Sequence, residues 1–425
     1  MSMNKKLGIL LVVLLSALLI SVVTTSAQDT VTLRVWDTFS EGVAYDGMES
    51  LIAGFQEANP NIIVERDTMT ADDMRPILRT ALSSGTGPDI MYYDTGPGFA
   101  GVLAEAGLLL PLDEAYRSQG WNDTIFEWTK DRTNFDGQVY GIGNELEFIG
   151  VYYNMDIFEE LGLEIPTTYE EFTIVCDTLL EAGYIPIAFA DADKWPAFHQ
   201  FSVFTNNVAG KDKMDDLLFG DASWDDEAVV DAIQLFFVDM NQAGYLTPST
   251  NAVSYDDGNA LFYNEQAAMH ITGTWLIGPI LENTTFSTGF FFFPSINGNP
   301  ALPPAGLGSG YFVSSQSEHP EEAIAFLSYL FDPVNAHVWM EDMNYIPPYA
   351  VDTSDFDLPE LLKFAVEALA TTEMGYNIDV ITPDNFNTVM ADGFQAVLAG
   401  EKSPEEQAAD LQEAMQEYLS EQDGG

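Results

Sequence analysis

Two glutamates that alternate along one apolar stretch are the residues with the clearest chemical potential. Glu145 and Glu147 lie in the segment YGIGNELEFIGVYYN, residues 140–154, whose other side chains are typical of a buried strand. Alternation along a strand puts both carboxylates on one face, roughly 7 Å apart. Because a buried carboxylate needs hydrogen-bond donors, the pair predicts a site that accepts hydrogen bonds from donor groups. Two solvated carboxylates in an acid-rich chain are the alternative.

The same spacing raises a second alternative, a glycoside hydrolase. Inverting glycosidases hold two carboxyl groups about 6.5–9.5 Å apart, on opposite sides of the bond that they cleave. Glu145 and Glu147 instead project from one face of one strand. The pattern therefore favours binding over catalysis, and we predict that the protein is not an enzyme.

Phosphate, metal and thiol chemistry are not indicated by the sequence. The segment GTGPD at 85–89 lacks the lysine of a phosphate-binding loop. Cys176 lies in a helical pattern, where we expect a buried and inert thiol. The acidic runs are too short for a calcium loop, which spans about twelve residues. We predict neither a metal ion nor a cofactor, because the four histidines show no metal-ligand spacing; they are His199, His270, His319 and His337.

The charge of the chain excludes two classes of partner. The 425 residues include 67 Asp and Glu against 14 Lys and Arg, a formal net charge of −53. Nucleic acids and anionic membrane surfaces are bound through clustered lysine and arginine, which the chain lacks. An acidic cleft lined by aromatic rings would suit a cationic solute such as a polyamine. This alternative stays open, because the acids are spread along the whole chain.

The first 27 residues have the pattern of a secretory signal peptide. Lys5 and Lys6 precede an apolar run at 7–23, and the small residues at 25–27 offer a cleavage site. No cysteine stands at that site, which excludes a lipoprotein anchor. We predict a periplasmic or secreted protein; an uncleaved membrane anchor is the alternative, because the apolar run has nearly the length of a membrane span.

Alternating strands and helices follow the signal segment. Strands are predicted at 31–37, 61–67 and 89–94, separated by helices at 45–58 and 72–84. Such alternation predicts a parallel sheet with helices on both faces and a ligand at the carboxyl ends of the strands. A second α/β block begins near residue 140, and the stretch 359–419 is mostly helical by periodicity. We therefore expect two α/β lobes joined by several short crossings.

A set of segments, in order along nearly the whole chain, resembles one family. They include VTLRVWDTFSEG, FQEANPNIIVE, GTGPDIMYYD, LFYNEQAAMHITGTW and GLGSGYFVSSQSEHPEEAIAFLSYLFDPVNAHVWME. Together they are similar to the extracellular solute-binding proteins of carbohydrate ABC importers, the group that includes the maltodextrin-binding proteins. No single motif is diagnostic; the ordered set carries the resemblance.

The resemblance implies an α/β, two-lobed periplasmic-binding-protein fold of type II, with a ligand cleft between the lobes. Each lobe is expected to contain a mixed, mainly parallel sheet flanked by helices. The N-terminal lobe would comprise 28–140 plus about 276–335, and the C-terminal lobe 141–275 plus about 336–425. The implied function is capture of a mono- or oligosaccharide by lobe closure and delivery to the membrane subunits of an ABC permease. We expect a monomer.

The resemblance also carries roles over to individual residues. Trp275 and Trp195 match sugar-stacking tryptophans, and Tyr93 matches an aromatic residue after the third strand. His199 follows Trp195 and is also a candidate, although a lone histidine on an apolar helix face is more often a core residue. Ser40 and Glu41 fall in the loop that should reach the ligand. The remaining candidates lie beside that third strand, in the crossing strand, where the chain returns across the cleft, or in a later ligand-touching segment; they are Asp94, Glu145, Glu147, Tyr311, Asn344 and Tyr345.

The acidic composition generates a prediction about salt. Like charges on one surface repel each other, and added ions screen that repulsion. We expect the melting temperature to rise when salt is increased from low to molar concentration, as would suit an exported protein in a saline habitat. A melting temperature that does not change with salt would contradict this expectation.

Overall fold

The computed structural model describes residues 30–144 and 146–423 of the chain. The predicted signal segment and Glu145 lie outside the described residues. Within those ranges, no helix has the length and apolar character needed to cross a bilayer.

The first sheet has the strand order β2-β1-β3-β12-β6. β1 is parallel to β2 and β3, whereas β12 is antiparallel to β3 and β6. Its strands are β1 (Val31–Asp37), β2 (Ile62–Thr68), β3 (Ile90–Asp94), β6 (Gly141–Gly143) and β12 (Ser309–Val313).

The second sheet is built around one long buried strand, β7 (Leu146–Asn154). Its order is β13-β11-β7-β9-β8, and β10 also pairs with β7. The other strands are β8 (Ile185–Ala188), β9 (Ala267–Gly273), β10 (Thr288–Phe291), β11 (Pro304–Leu307) and β13 (Gly375–Tyr376). A separate hairpin pairs β4 (Asn134–Phe135) with β5 (Gln138–Val139).

Helices cover the faces of both sheets. They are α1 (Gly42–Ala58), α2 (Ala71–Ser83), α3 (Val102–Glu105), α4 (Asp113–Ser118), α5 (Trp121–Thr124), α6 (Glu127–Asp131), α7 (Met155–Leu161), α8 (Tyr169–Ala182), α9 (Pro196–Ala209), α10 (Lys211–Phe219), α11 (Glu227–Ile233), α12 (Asn241–Ala243), α13 (Tyr255–Tyr263), α14 (Ile277–Asn283), α15 (Pro320–Leu330), α16 (Glu360–Thr371), α17 (Asp384–Leu398) and α18 (Pro404–Asp423). Short π-helical and 3-10 turns lie at Pro97–Gly101, Gln234–Met240, Thr250–Ala252, Thr274–Leu276, Pro333–Asn335, Val338–Asp342 and Thr353–Asp355.

Local capping explains where several of these helices begin and end. The side chain of Thr70 accepts a hydrogen bond from the backbone N–H of Asp73, which starts α2 directly after β2. Thr168 caps α8 in the same way, as its position before two glutamates predicts. Gly183 ends α8 in the left-handed conformation that glycine adopts without steric cost.

The structure corrects two expectations, the direction of strand pairing and the lobe boundaries. The sheets are mixed, as predicted, but neither is mainly parallel. In the first sheet β12 is antiparallel to both of its neighbours, and in the second sheet β7 is antiparallel to β9, β10 and β11. The strands β10 and β11 lie in the second sheet, although residues from about 276 were assigned to the N-terminal lobe. The turn Val338–Asp342 packs in the core of the first lobe, although it was assigned to the C-terminal lobe.

Each lobe has its own apolar core. The first core lies between β1, β3 and β12 and the helices α1 and α15, and it includes Leu33, Phe326 and Trp339. The second core packs β7 and β9 against the long helices α8, α9 and α17. Cys176 is fully buried in this second core. Burial raises the pKa of its thiol well above the ordinary value, which agrees with the inert role expected from the sequence.

A buried ion pair holds the loop that follows β1. Two guanidinium nitrogens of Arg66 donate to the carboxylate of Asp37 at 2.6 and 2.8 Å. Asp37 also accepts from the backbone N–H of Phe39, and Arg66 donates to the Phe39 carbonyl. The side chains of Arg66 and Asp37 are 4% and 0% exposed. This network fixes the path of residues 37–39 toward Ser40 and Glu41.

The ion pair generates a stability prediction. Replacing Arg66 by Met would leave the Asp37 carboxylate buried without its cation, which costs about 3–5 kcal/mol. Urea unfolding of Arg66→Met should show this loss. The matched control is Arg117→Met, because Arg117 pairs with Glu114 on the surface, where both side chains are more than half exposed; such pairs contribute about 0–1 kcal/mol. Equal losses in the two variants would contradict the assignment.

Candidate ligand-binding site

Two groups of side chains face each other where the two lobes meet. The first lobe contributes residues at the start of α2 and at the end of β3. The second lobe contributes residues that precede or begin α9 and α13 and that follow β9. The carboxyl ends of β1, β2 and β3 therefore open toward this junction, as the strand order predicts.

The face of the first lobe is a charged cluster around Arg75. Its guanidinium donates two hydrogen bonds to the Asp94 carboxylate, at 2.9 and 2.8 Å, and one to Asp72 at 3.1 Å. These carboxylates raise the pKa of Arg75 despite its burial. Tyr93 stands beside Asp94, and burial together with the Asp94 charge raises the pKa of its hydroxyl. The cluster offers fixed hydrogen-bond donors and acceptors at one wall of the junction.

The face of the second lobe is an aromatic cluster. The ring centroid of Trp195 lies 5.1 Å from that of His199 and 4.4 Å from that of Tyr255. His199 in turn lies 4.9 Å from Trp275, whose indole N–H donates to the Tyr255 hydroxyl at 2.8 Å. Trp195 and Trp275 are half-buried. Half-buried rings held by their neighbours can present a face to a ligand without first paying an ordering cost.

His199 is a neutral member of this cluster. It is buried, and burial together with the nearby Arg75 charge lowers its pKa to about 3. A neutral imidazole can both donate and accept one hydrogen bond. His199 therefore adds polar contacts to the wall without adding charge at neutral pH.

The two faces touch through Trp195. Its indole N–H donates to the Asp72 carboxylate at 3.3 Å, and the guanidinium carbon of Arg75 lies 6.0 Å from the indole centroid. These contacts join α2 of the first lobe to the start of α9 in the second. The structure thus brings together four of the candidates predicted from the sequence, namely Tyr93, Asp94, Trp195 and His199. Trp275 joins this group through its ring contact with His199.

Glu147 lies at the floor of the junction. It is buried, accepts a hydrogen bond from the side-chain amide of Asn377 at 3.0 Å, and lies directly under Gly308. A Cβ atom at Gly308 would lie 2.4 Å from a Glu147 carboxylate oxygen. The carboxylate therefore has at least one partner within the protein, and its contact with a ligand stays a prediction. Glu145 lies outside the described residues, and the predicted pairing of Glu145 with Glu147 stays a prediction.

A second group of candidates surrounds an adjoining groove. Ser40, Glu41 and Tyr345 line an open groove with an empty volume of about 580 Å³. A narrow pocket lined by Trp275, Asn344 and Tyr345 adjoins it. The ring of Tyr345 packs edge-on against Phe39 at 5.4 Å. These candidates, from widely separated parts of the sequence, therefore meet around neighbouring cavities.

The structure contradicts the predicted position of Tyr311 at the cleft. The sequence placed it at the cleft, but the side chain is 0% exposed in the core of the first lobe. Its hydroxyl donates to the sulfur of Met48, and its ring packs 4.9 Å from Tyr92. Alternation along β12 explains the difference, because it turns this side chain toward α1 and away from the junction.

Sequence reasoning missed Asp72, Arg75 and Tyr255. Asp72 and Arg75 are three residues apart in the first turns of α2, a spacing typical of an ordinary surface ion pair. Tyr255 begins α13 behind its cap, Ser254, in a stretch without other signals. Asp72 and Arg75 lie in the helix that follows β2, and Tyr255 packs against Trp195. Only the tertiary fold brings these three residues together. The only local clue was that α2 starts at the carboxyl end of a strand.

Comparison with known proteins gives a consistent result. The family model for bacterial extracellular solute-binding proteins matches residues 40–337. The multiple sugar-binding protein of Streptococcus mutans is 25% identical over 346 residues, covering 78% of this chain and 79% of that protein. The alpha-glucosides-binding periplasmic protein of Rhizobium meliloti is 24% identical, covering 86% and 83%.

Solved structures share the architecture. A chitin oligosaccharide binding protein superposes with a TM-score of 0.83 at 25% identity, covering 92% of this chain and 99% of that one. A maltose/maltodextrin-binding domain from Bdellovibrio bacteriovorus, bound to maltotriose, superposes with a TM-score of 0.72. The fold is that of the two-lobed type II periplasmic binding proteins. Because the family model covers most of the chain, this protein belongs to the bacterial extracellular solute-binding protein family.

Proposed function

We propose that this protein is the exported substrate-binding component of an ABC importer and that it captures a sugar between its lobes. The observation that carries the proposal is the pairing of an aromatic wall with a charged hydrogen-bonding wall at the lobe junction. Relatives with the same architecture are named for binding of multiple sugars, alpha-glucosides and chitin oligosaccharides. We propose sugars as the substrate class of this protein as well.

The two walls match the two chemical surfaces of a sugar. The C–H face of a pyranose ring is apolar and packs on indole rings such as those of Trp195 and Trp275. Its hydroxyl groups need partners, because a buried polar group left without one costs about 1–3 kcal/mol. Asp72, Asp94 and Arg75 supply acceptors and donors within one hydrogen-bonded cluster. A sugar seated between these walls replaces the direct contact of Trp195 with Asp72.

The same geometry favours a neutral solute over a polyamine. Arg75 is a fixed cation at the centre of the charged wall, and its two carboxylate partners are already engaged with it. A cationic ligand would have to displace that guanidinium to reach the two carboxylates. The acids on the rest of the surface do not decide the ligand class, because exposed charges are screened by salt within about 10 Å. We expect binding without catalysis, delivery to a permease, and a monomeric protein.

A ligand screen by thermal unfolding tests the proposal. We expect maltose, maltotriose, raffinose, chitobiose or a monosaccharide to raise the melting temperature, because a ligand at 100 times its Kd stabilises the folded state by about 2.7 kcal/mol. Putrescine and spermidine should give no such shift. Stabilisation by a polyamine alone would overturn the assignment to sugars, and absence of any shift would overturn the proposed function.

A tryptophan substitution tests the aromatic wall. We expect Trp195→Ala to weaken binding of the stabilising sugar at least tenfold, since central aromatic contacts carry about 2 kcal/mol or more. Trp128→Ala is the matched control, because Trp128 is an exposed tryptophan on α6. Its affinity should stay within twofold of the unaltered protein. Equal effects in the two variants, measured by calorimetry, would remove Trp195 from the site.

A further inference from the structure

Asp379 is a buried carboxyl group that none of the contacts described above uses. It follows β13 in the second lobe and is only 7% exposed. Among the described residues, its Oδ1 atom has no hydrogen-bond partner. An unsatisfied buried oxygen destabilises the folded state, and such groups in native proteins require an explanation.

The position of Asp379 links it to the charged wall. The adjoining backbone packs against the loop after β3, so that a Cβ atom at Gly96 would lie 2.2 Å from the carbonyl oxygen of Val380. Asp379 lies within electrostatic range of Arg75 and Asp94, which are both on the first lobe. The carboxyl group therefore stands across the lobe junction from the Arg75–Asp94 pair.

Asp379 resides in an environment that favours its neutral form. Burial and the Asp94 charge raise its pKa, which Arg75 and the local backbone N–H groups lower, and the net result is a pKa of about 7. Tyr93, next to Asp94, stays neutral because burial raises its own pKa. From the second lobe, Asp384 begins α17 and Glu147 is bound by Asn377, two residues before Asp379. A neutral carboxyl group can donate a hydrogen bond.

We propose that Asp379 is a further ligand-contacting residue of the cleft, whose protonated carboxyl group donates a hydrogen bond to an oxygen of the bound sugar. The unpartnered oxygen, its burial at the lobe junction, and its place opposite Arg75 and Asp94 support this role. The proposal rests on the proposed function, and it adds a residue that determines specificity for a neutral ligand with acceptor oxygens.

The role has a consequence for pH. Asp379 is buried in this structure, where its pKa is about 7. If opening of the cleft exposes the carboxyl group to water, its pKa falls toward the ordinary value of an aspartate. The closed form therefore binds one more proton between these two values. Its advantage is complete at low pH and is lost as the pH rises through 7, with a slope of at most about tenfold in affinity per pH unit.

Calorimetry at several pH values tests the inference. The probe is maltotriose, or the sugar from the thermal screen that stabilises the protein most. We expect the ratio of wild-type to Asp379→Asn affinity to fall about tenfold between pH 6 and pH 8. Any other group that titrates between pH 6 and pH 8 acts in both proteins and cancels in this ratio, and His199, with a pKa of about 3, stays neutral throughout. Asp384→Asn is the control, because Asp384 is an exposed acid on the same segment, and its ratio should not change with pH.

Two further measurements complete the test. In buffers of different ionisation enthalpy at pH 6, wild type should take up nearly one proton more per bound sugar than Asp379→Asn. Asp379→Ala should bind at least tenfold more weakly at pH 6, whereas Asp379→Asn, which keeps a donor, should retain the affinity. Melting curves establish that each variant is folded.

The outcomes separate the two proposals. If a sugar binds and the wild-type protein and Asp379→Asn show the same pH profile and proton uptake, the role of Asp379 is overturned while the proposed function stands. If the variants do not fold, a wild-type affinity that is constant between pH 6 and pH 8 overturns the role. If no sugar binds, the proposed function fails and this inference falls with it.

Discussion

The junction between β11 and β12 is the constraint on which the ligand site depends. Leu307 is the last residue of a strand in the second sheet, Ser309 is the first residue of a strand in the other sheet, and Gly308 alone separates them. Thr95, directly after β3, donates from its backbone N–H to Gly308 and from its hydroxyl to Leu307. A Cβ atom at Gly308 would lie 2.4 Å from a Glu147 carboxylate oxygen, so a larger residue there would have to displace that side chain. The floor of the cleft is therefore a single continuous piece of β-structure shared by both lobes.

The walls above this floor are prepared separately by each lobe. Arg75 is fixed by Asp94 and Asp72 on the first lobe, and Trp275 is fixed by Tyr255 on the second. Neither arrangement needs the other lobe to form. A rotation of one lobe about this floor would therefore change the distance between the two walls and leave the contacts within each wall intact. Such pre-organisation reduces the ordering cost that a ligand would otherwise offset.

Many strands and helices could be predicted from the sequence, because local hydrophobic patterns indicate them. The alternation of strands and helices up to Asp94 predicted β1, β2 and β3 and their parallel pairing, and the continuous apolar run around Phe148 predicted the buried central strand β7. The pairing direction in the second sheet could not be predicted, because antiparallel β10 and β11 return to β7 through long connections that leave no periodic signal. Family resemblance placed Trp195, Trp275 and Asp94 at the cleft; the structure brings them to the lobe junction, and their contact with a ligand stays a prediction. It failed for Tyr311, since a shift of one position along a strand reverses the face on which a side chain lies.

The residues that sequence reasoning missed share one property. Arg75 and Asp72 form an i, i+3 pair that looks like many surface pairs in helices, and Asp379 follows a strand of two residues. Their importance comes from which surfaces the tertiary fold brings opposite them. No window of the sequence contains that information, because Arg75 and Asp379 are separated by most of the chain.

The buried thiol of Cys176 has a practical consequence for optical work on this protein. It is the single cysteine of the sequence, it is inaccessible in the core of the second lobe, and its raised pKa keeps it in the unreactive thiol form. A cysteine introduced at an exposed position on the rim of the junction would therefore be the sole site for a maleimide dye. The natural chain is thus already suited to conversion into a reagentless fluorescent sensor, without prior removal of a native thiol.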